Sequence, residues 1–407
     1  MKRYWKLAVL VPVIVLGIGM YYTQAAGVYP EFELKTLSGD GKLAADLTLQ
    51  GMYRNEEMTV GQDGSEFLSE RGFWNSMVQP YLYNSSRYER LLQEYPGFLR
   101  GKSRPAGFYE HDAVLGYADI QMKSRPAGGH EDFRFALSVY DKGTRHTSDR
   151  HVPVPDEGLY YGIFIDSVRF DGGVLRVLTT NFRKGPGIPP AYRNPELHQY
   201  SLDPGADRVT EDRLLLPAGM GDSRDLLVIG GSDPLQTGRY TVFRLTYYLP
   251  GNGDPRFPPS SLDRREIYVY DAETDRLEIV QSASFDDLLR IPNDPGIFPE
   301  EDRLYFVSRH PTTHVLRVVH YGLADHKVTK DYSIPIDETL TINNTVIANQ
   351  RLYLIMKSRT DELSGPELAI ADLNDGTMLY RGTVVRQDHE PPYDLRIHNV
   401  LVKEGGP

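Results

Sequence analysis

The sequence predicts an all-β fold built from about six repeated four-stranded units, with seven as the alternative if the segment 52–109 contains further strands. Three observations lead to this prediction. β-rich runs recur along the chain, each is followed by a short turn rich in Asp, Gly or Asn, and further candidate strand pairs precede several of these hairpins. Asp, Asn and Gly suit such turns because they tolerate positive φ angles or cap their own backbone.

Each predicted hairpin consists of a β-rich run and the turn that follows it. The runs and turns are 32–37 with 38–41, 135–140 with 141–144, 197–202 with 203–205, 266–270 with 271–274, 318–323 with 324–326, and 368–373 with 374–377. Further strand pairs are predicted at 166–181, 297–308 and 342–356. Together they predict four-stranded units near 110–154, 160–216, 225–281, 297–336 and 343–385.

Two short stretches, 29–51 and 393–403, are left over, and neither is long enough to form a unit alone. We predict that they form one unit together, with 395–402 pairing with a strand from 29–51. Four-stranded sheets repeated around an axis make a β-propeller, and the chain resembles that architecture over most of its length. The regular sequence signatures of the sialidase, Trp-Asp and kelch repeats are missing, so the resemblance extends to no particular family. A β-sandwich or an open solenoid is the alternative.

The segment at about 52–109 departs from the strand pattern and is predicted to be a partly helical insertion. Ser86 and Glu89 form a capping-box pair, and apolar residues at 88, 91, 92 and 95 lie on one helix face. An aromatic cluster precedes this helix at 73–83. The insertion is interpreted either as a lid or partner-docking element, or as a helix that packs on a sheet edge.

Residues 1–27 are predicted to be a membrane anchor or a signal segment, followed by a propeller domain over 28–407. Lys2, Arg3 and Lys6 precede an uncharged run at 7–22. Because basic residues before an apolar run stay in the cytoplasm, we expect a single-pass protein whose C-terminal domain is extracytoplasmic. The run is short for a spanning helix, which needs roughly 17–25 residues, and long for a signal core of about 7–15. Cleavage, which would give a secreted protein, is the alternative.

Composition and missing motifs narrow the function classes. The net charge is −11, so binding to nucleic acid is not expected. The absence of cysteine removes disulfides, thiolate metal sites and cysteine nucleophiles. The chain has neither a Gly-x-Ser-x-Gly elbow nor a phosphate-cradling Gly-x-x-x-x-Gly-Lys loop. The sequence therefore predicts no cofactor and no metal site, and it assigns no catalytic residue.

The candidate ligand-binding residues are basic groups that begin the loop between the second and third strands of a unit. They are Lys123, Arg125, Arg183, Lys184, Arg309, His310, Lys357 and Arg359. Since this loop lies on the same face as the connection to the next unit, several units can contribute to one site. Arginine pairs with both carboxylate and phosphate, which indicates an anion site. The alternative is that these groups form salt bridges with acids of the connecting loops, such as Asp156 and Glu157.

These observations predict a membrane-tethered, extracytoplasmic propeller that acts as a binding, scaffolding or sensor protein. The expected partners are an anionic cell-envelope polymer or a membrane protein complex, with the membrane itself contacted through 7–22. The alternative function is that of a hydrolase or lyase acting on an anionic glycan at the face that carries the basic loops.

Overall fold

A computed structural model describes Pro12 and residues 29–71, 86–102, 104–124, 130–171, 173–184, 195–203, 205, 208–219, 223–229, 239–249, 262–290, 295–309, 314–361, 363–392 and 394–402. These residues form antiparallel sheets with few, short helices. The chain divides into two compact units, one made of Met1–Tyr81 with Ile336–Pro407 and the other of Leu82–Pro335.

The described strands and helices, in chain order, have the following bounds. The strands are β1 (Phe32–Gly39), β2 (Leu47–Tyr53), β3 (Glu56–Val60), β4 (Ser65–Phe67), β5 (Phe108–Glu110), β6 (Val114–Ser124), β7 (His130–Asp141), β8 (His146–Pro153), β9 (Tyr160–Asp171), β10 (Val174–Arg183), β11 (Pro195–Leu202), β12 (Val209–Leu216), β13 (Ser223–Ile229), β14 (Tyr240–Tyr248), β15 (Leu262–Asp271), β16 (Arg276–Val280), β17 (Gly296–Glu300), β18 (Arg303–Arg309), β19 (Val315–Gly322), β20 (Lys327–Pro335), β21 (Leu340–Ala348), β22 (Arg351–Ser358), β23 (Glu367–Asp372), β24 (Met378–Arg386) and β25 (Leu395–Val402). The helices are α1 (Ser86–Glu94), α2 (Pro96–Leu99) and α3 (Asp286–Arg290).

Among the described residues, the unit Leu82–Pro335 contains four sheets, and each is a meander of four consecutive strands. The sheets are β5–β8, β9–β12, β13–β16 and β17–β20. Their bounds agree with the units predicted from the recurring hairpins, because the Asp- and Gly-rich turns fall where the third strand of each sheet turns into the fourth. This repeated meander is the blade pattern of propeller-type proteins.

In the other unit, the described residues form two sheets that combine strands from the N-terminal and C-terminal parts of the sequence. One has the order β1-β24-β23-β22-β21 and the other β25-β2-β3-β4. β25 pairs with β2 from Leu47 opposite Val402 to Tyr53 opposite Leu395. The prediction that 395–402 pairs with a strand from the N-terminal region is therefore confirmed.

The predicted hairpin at 32–41 is wrong. β1 does not fold back on β2 but pairs with β24 as the fifth strand of its sheet. Gly39 at its end has a φ of +87°, and a Cβ at this position would meet the carbonyl oxygen of Leu379. Gly39 thus allows β1 and β24, which are distant in the sequence, to approach each other closely. The segment 38–41 has the composition of a hairpin turn but does not form one.

The described part of the predicted insertion at 52–109 begins and ends with strands. β3 and β4 complete the sheet that β25 and β2 begin, so the helical part of the described residues is confined to α1, α2 and two short 3₁₀ turns. Leu91 and Phe98 of these helices are buried against Phe108 and Leu115, as in the packing interpretation. The aromatic cluster at 73–83 lies outside the described residues.

No helix within the described ranges is both long enough and apolar enough to cross a membrane. The membrane segment predicted at 7–22 lies outside those ranges, apart from Pro12.

The strand β11 of the sheet β9–β12 lies in the core of its unit. All eight residues of β11 are buried. On one face Tyr200 packs edge-on against Phe135 of β7, with ring centroids 5.1 Å apart. On the other face Leu197 belongs to a cluster with Phe243 and Leu245 of β14. Because both faces of β11 are covered, any polar side chain on this strand must find its partners inside the protein.

Candidate functional site

The candidate ligand-binding residues that fall within the described ranges lie at equivalent positions of their sheets. Lys123 stands near the end of β6, Arg183 ends β10, Arg309 ends β18 and Lys357 stands near the end of β22. Each of these is the second strand of its sheet or, for β22, the second of the meander β21–β24. We call the edge at which the second strand ends and the third begins the basic edge. Arg125 and His310 lie outside the described residues.

Two of the candidates form ion pairs within their own sheet. Lys123 Nζ lies 2.5 Å from Asp132 Oδ2, and Arg183 Nη1 lies 2.9 Å from Glu196 Oε1. Both acids stand on the third strand, directly across the loop. The acidic partners of Lys123 and Arg183 are therefore not the acids of the connecting loops that the salt-bridge interpretation named.

Three other candidates have no acidic partner within the described part of the chain. Lys184 Nζ donates to the carbonyl oxygen of Gly158 at 2.9 Å, and Arg359 Nε donates to Thr341 Oγ1 at 2.6 Å. Arg359 is exposed and Lys357 is half-buried. These cations remain available to an external anion.

A basic cluster that was not predicted from the sequence lies in the sheet β13–β16. Here the second strand ends without a basic residue, but Arg264 and Arg265 begin the third strand and lie at the same edge. With Arg290 of α3 they line a cavity of about 550 Å³. The Arg264 guanidinium lies 3.7 Å from the centroid of the Tyr247 ring and 2.7 Å from Asp263. The signal was present in the consecutive charged residues 263–265, directly before the predicted run 266–270.

A buried polar cluster lies directly behind Arg183. Glu196, His198 and Tyr200 alternate along β11 and therefore point to the same face of the sheet. His198 Nδ1 lies 2.8 Å from Asp212 Oδ1, and His198 Nε2 lies 3.3 Å from Glu196 Oε2. The Tyr160 hydroxyl is 3.2 Å from the same Nε2 atom.

Burial and ionic contacts shift the pKa values of this cluster. Burial alone would lower the pKa of His198, but its bonds to Asp212 and Glu196 outweigh burial and raise the pKa to about 8. Burial likewise opposes ionisation of Glu196, yet the bonds from His198 and Arg183 lower its pKa to about 2. Burial, helped by the Glu196 charge, raises the pKa of Tyr160 to about 12. At neutral pH the cluster thus holds a cationic histidine between two carboxylates.

The polar side chains of this buried cluster are hydrogen-bonded to one another, and this determines the role of the cluster. Both ring nitrogens of His198 have acceptors, and Glu196 also holds the guanidinium of Arg183. Such a network fixes the position of Arg183 at the basic edge. The alternating Glu-x-His-x-Tyr pattern inside a β-rich run was the sequence signal for it. Within the described ranges, no group of three or more His, Asp or Glu side chains is arranged to hold a metal ion.

No known family model matches the chain, and no curated protein sequence matches it. Solved structures resemble it in part. They include the subtype N10 neuraminidase-like protein of a little yellow-shouldered bat strain from Guatemala, with 9% identity over 67% of this chain and 76% of that chain and a TM-score of 0.27. Kuenenia stuttgartiensis hydrazine synthase has 14% identity over 68% and 78% of the two chains, with a TM-score of 0.27. Trypanosoma brucei oligopeptidase B has 13% identity over 83% and 41%, with a TM-score of 0.33. At TM-scores this low, these likenesses carry no argument about this chain.

Proposed function

We propose that the chain is a propeller-type binding protein whose basic edge holds an anionic polymer of the cell envelope. The observation that supports it is the repetition of cations at one edge. All four sheets of the unit Leu82–Pro335 carry a basic side chain there. They are Lys123 in the first, Arg183 and Lys184 in the second, Arg264 and Arg265 in the third, and Arg309 in the fourth.

Charge supports a ligand rather than a structural role for this repetition. The protein has a net charge of −11, so a row of cations is not a consequence of composition. Exposed ion pairs such as Lys123 with Asp132 contribute only about 0–1 kcal/mol to stability. A basic side chain that recurs from sheet to sheet matches a ligand with repeated negative charges, because each sheet can hold one segment of the polymer.

The alternative function, a hydrolase or lyase acting on an anionic glycan, is favoured by one observation. Glu196, His198 and Tyr160 have strongly shifted pKa values beside a cation, which is a common property of catalytic sites. However, these groups are saturated by one another, and a general acid or base must reach its substrate. The binding function is therefore preferred.

Binding to a polyanion should depend on the basic edge. We expect the Arg264→Gln/Arg265→Gln protein to bind dextran sulfate about five- to thirty-fold more weakly than the wild type, from two contacts of about 0.5–1 kcal/mol each. The loss should shrink at high salt, because salt screens exposed charges. Neutral dextran should bind neither protein. Equilibrium binding by fluorescence anisotropy at two salt concentrations measures this.

A matched control removes the same charge from the opposite edge of a sheet. Arg303 begins β18 and Lys327 begins β20, so both lie at the end of their sheet away from Arg309. The Arg303→Gln/Lys327→Gln protein should bind dextran sulfate nearly as the wild type does. Equal weakening by the two double substitutions would show that only net charge matters, and the proposed site would then be rejected.

We further propose that the domain is extracytoplasmic and tethered through 7–22, because Lys2, Arg3 and Lys6 precede the uncharged run. Protease added to intact cells should then digest the domain and leave a short membrane-bound fragment. Complete protection until the membrane is disrupted would contradict this topology. Release of the undigested domain into the medium would support cleavage of the N-terminal segment.

A further inference from the structure

We propose that a second cavity, within the unit Leu82–Pro335, binds a small carboxylate-bearing molecule through Arg169. The cavity has a volume of about 370 Å³ and is lined from three sheets, by Tyr109 of β5, by Arg169 and Arg176 of β9 and β10, and by Tyr270 of β15. Small-molecule sites in proteins range over roughly 300–1,000 Å³, so this volume suits a compact ligand.

Two like charges face each other in this cavity. Arg169 of β9 stands directly opposite Arg176 of β10 in the antiparallel register. Like charges at directly opposed positions destabilise a sheet, because their side chains share one face. The pair therefore needs nearby negative charge, either from the protein or from a ligand.

The protein supplies negative charge to Arg176. Arg176 Nη1 lies 3.8 Å from Asp275 Oδ2, an oxygen that is also 2.7 Å from Arg213 Nη1. The other carboxylate oxygen of Asp275 accepts a hydrogen bond from the Tyr270 hydroxyl at 2.6 Å. Asp275 is thus shared among three groups and has little left for a further cation.

Arg169 receives no such partner from the described residues. Its Nε atom is buried without a hydrogen-bond acceptor, and no carboxylate in the described ranges lies within ion-pair distance of its guanidinium. Asp271 and Glu273, the carboxylates that act electrostatically on Arg169, each lie 2.7 Å from Arg239, and Glu273 also lines the cavity. Burial lowers the pKa of Arg169, opposed by Tyr270 and Tyr109. One partly buried cation therefore remains to be neutralised.

The walls of the cavity indicate the kind of anion. Tyr109, Phe170 and Tyr270 line it, and the Tyr109 hydroxyl is engaged by the backbone oxygen of Phe170 at 2.9 Å. The aromatic walls suit an apolar body, and the single unneutralised guanidinium suits one carboxylate. A dianionic phosphate would bring more charge than Arg169 balances. Ser167 and Gln199 also line the cavity and can bind further polar atoms of a ligand.

This cavity is distinct from the basic edge. Arg176 and Arg183 are seven residues apart on β10, which corresponds to about 23 Å along an extended strand. Variants at one site therefore test it without removing the other.

The test is isothermal titration calorimetry of the full-length protein with benzoate, with its neutral analogue benzamide, and with inorganic phosphate. We expect benzoate to bind, benzamide not to bind, and phosphate to bind more weakly than benzoate. Arg169→Gln should weaken benzoate binding at least tenfold, Arg169→Lys should retain part of it, and Arg303→Gln should leave it unchanged. Without ligand, Arg169→Gln should melt no lower than the wild type, since it removes the opposed charge.

Each other outcome overturns the proposal. Arg169 is not the binding group if benzoate binds the wild type neither strongly nor selectively. The same follows if benzoate binds the Arg169→Gln protein as well as it binds the wild type. If phosphate binds and benzoate does not, the ligand of this cavity is an inorganic oxyanion and the proposal of an organic carboxylate is wrong. An Arg169→Gln protein that melts lower or fails to fold would show that Arg169 is a structural brace.

Discussion

Deleting residues 395–407 should unfold the sheet β25-β2-β3-β4 and lower the melting temperature, rather than fray one chain end. Leu395, Ile397 and Val400 of β25 are buried in a core shared with Phe32 and Tyr53. Burying an aliphatic side chain stabilises a fold by about 1.5–3 kcal/mol, so three such residues contribute about 5–9 kcal/mol. That is comparable to the whole stability of a typical domain. Thermal unfolding by circular dichroism and calorimetry measures the change.

Two further variants make this test specific. Deleting 403–407 alone removes only residues that follow β25 and should leave the melting temperature unchanged. Gly51→Ala should destabilise the intact chain, because a Cβ at Gly51 would meet the carbonyl oxygen of Arg396 across the β2–β25 pairing. If a protein that lacks 395–407 melts cooperatively at the wild-type temperature, β25 does not stabilise this core as expected.

Replacing His198 by glutamine should destabilise the protein strongly at pH 6 and much less at pH 9. Removing one partner from a buried ionic network typically lowers the free energy of unfolding by about 3–5 kcal/mol. Here Asp212 and Glu196 both lose a cationic neighbour. The pH dependence follows from the raised pKa of His198. Its ordinary pKa of 6.5 rises to about 8 in the folded protein.

The sign of this linkage fixes the pH window. A pKa raised on folding means that protonation favours the folded state, so the stabilisation is complete below about pH 6.5 and is lost as the pH rises through about 8. The shift is worth about 2 kcal/mol. The wild type should lose this stability between pH 6.5 and 9, and the His198→Gln protein should not.

The control is His326→Gln, since the His326 side chain is 59% exposed and lies 3.6 Å from Glu278. This protein should keep the wild-type dependence of unfolding free energy on pH. Parallel profiles for the wild type and His198→Gln from pH 6 to 9 would mean that folding does not raise the pKa of His198. A histidine titration followed by NMR assigns the folded pKa directly.

The repeating sheets were predictable because they follow from local chemistry. A turn such as 374–377 joins neighbouring strands β23 and β24, and its Asn, Asp and Gly residues determine the hairpin without reference to the rest of the chain. β1 was mispredicted for the same reason. Its partner β24 lies more than three hundred residues away, and no local pattern specifies that pairing.

The candidate site was predictable only in part. The positions of Lys123, Arg183 and Arg309 follow from counting strands, so their equivalence could be predicted. For the cluster around His198, the Glu-x-His-x-Tyr alternation indicates only that three polar side chains share one face of β11. The contact of His198 with Asp212 and Glu196 depends on the register of β11 with β12 and on burial of both faces of β11, which no local pattern specifies. Arg169 and Arg176 likewise become opposed only through the register of β9 and β10.

The most direct test of the basic edge is lysine footprinting. The full-length protein is acetylated with and without dextran sulfate, and modification is measured by mass spectrometry. Lys123, Lys184 and Lys357 lie at the basic edge of their sheets, whereas Lys327 and Lys330 lie on β20 away from it. We expect dextran sulfate to protect the first three lysines and to leave the last two reactive. Equal protection of all five, or protection of Lys327 and Lys330 alone, would contradict binding at the basic edge.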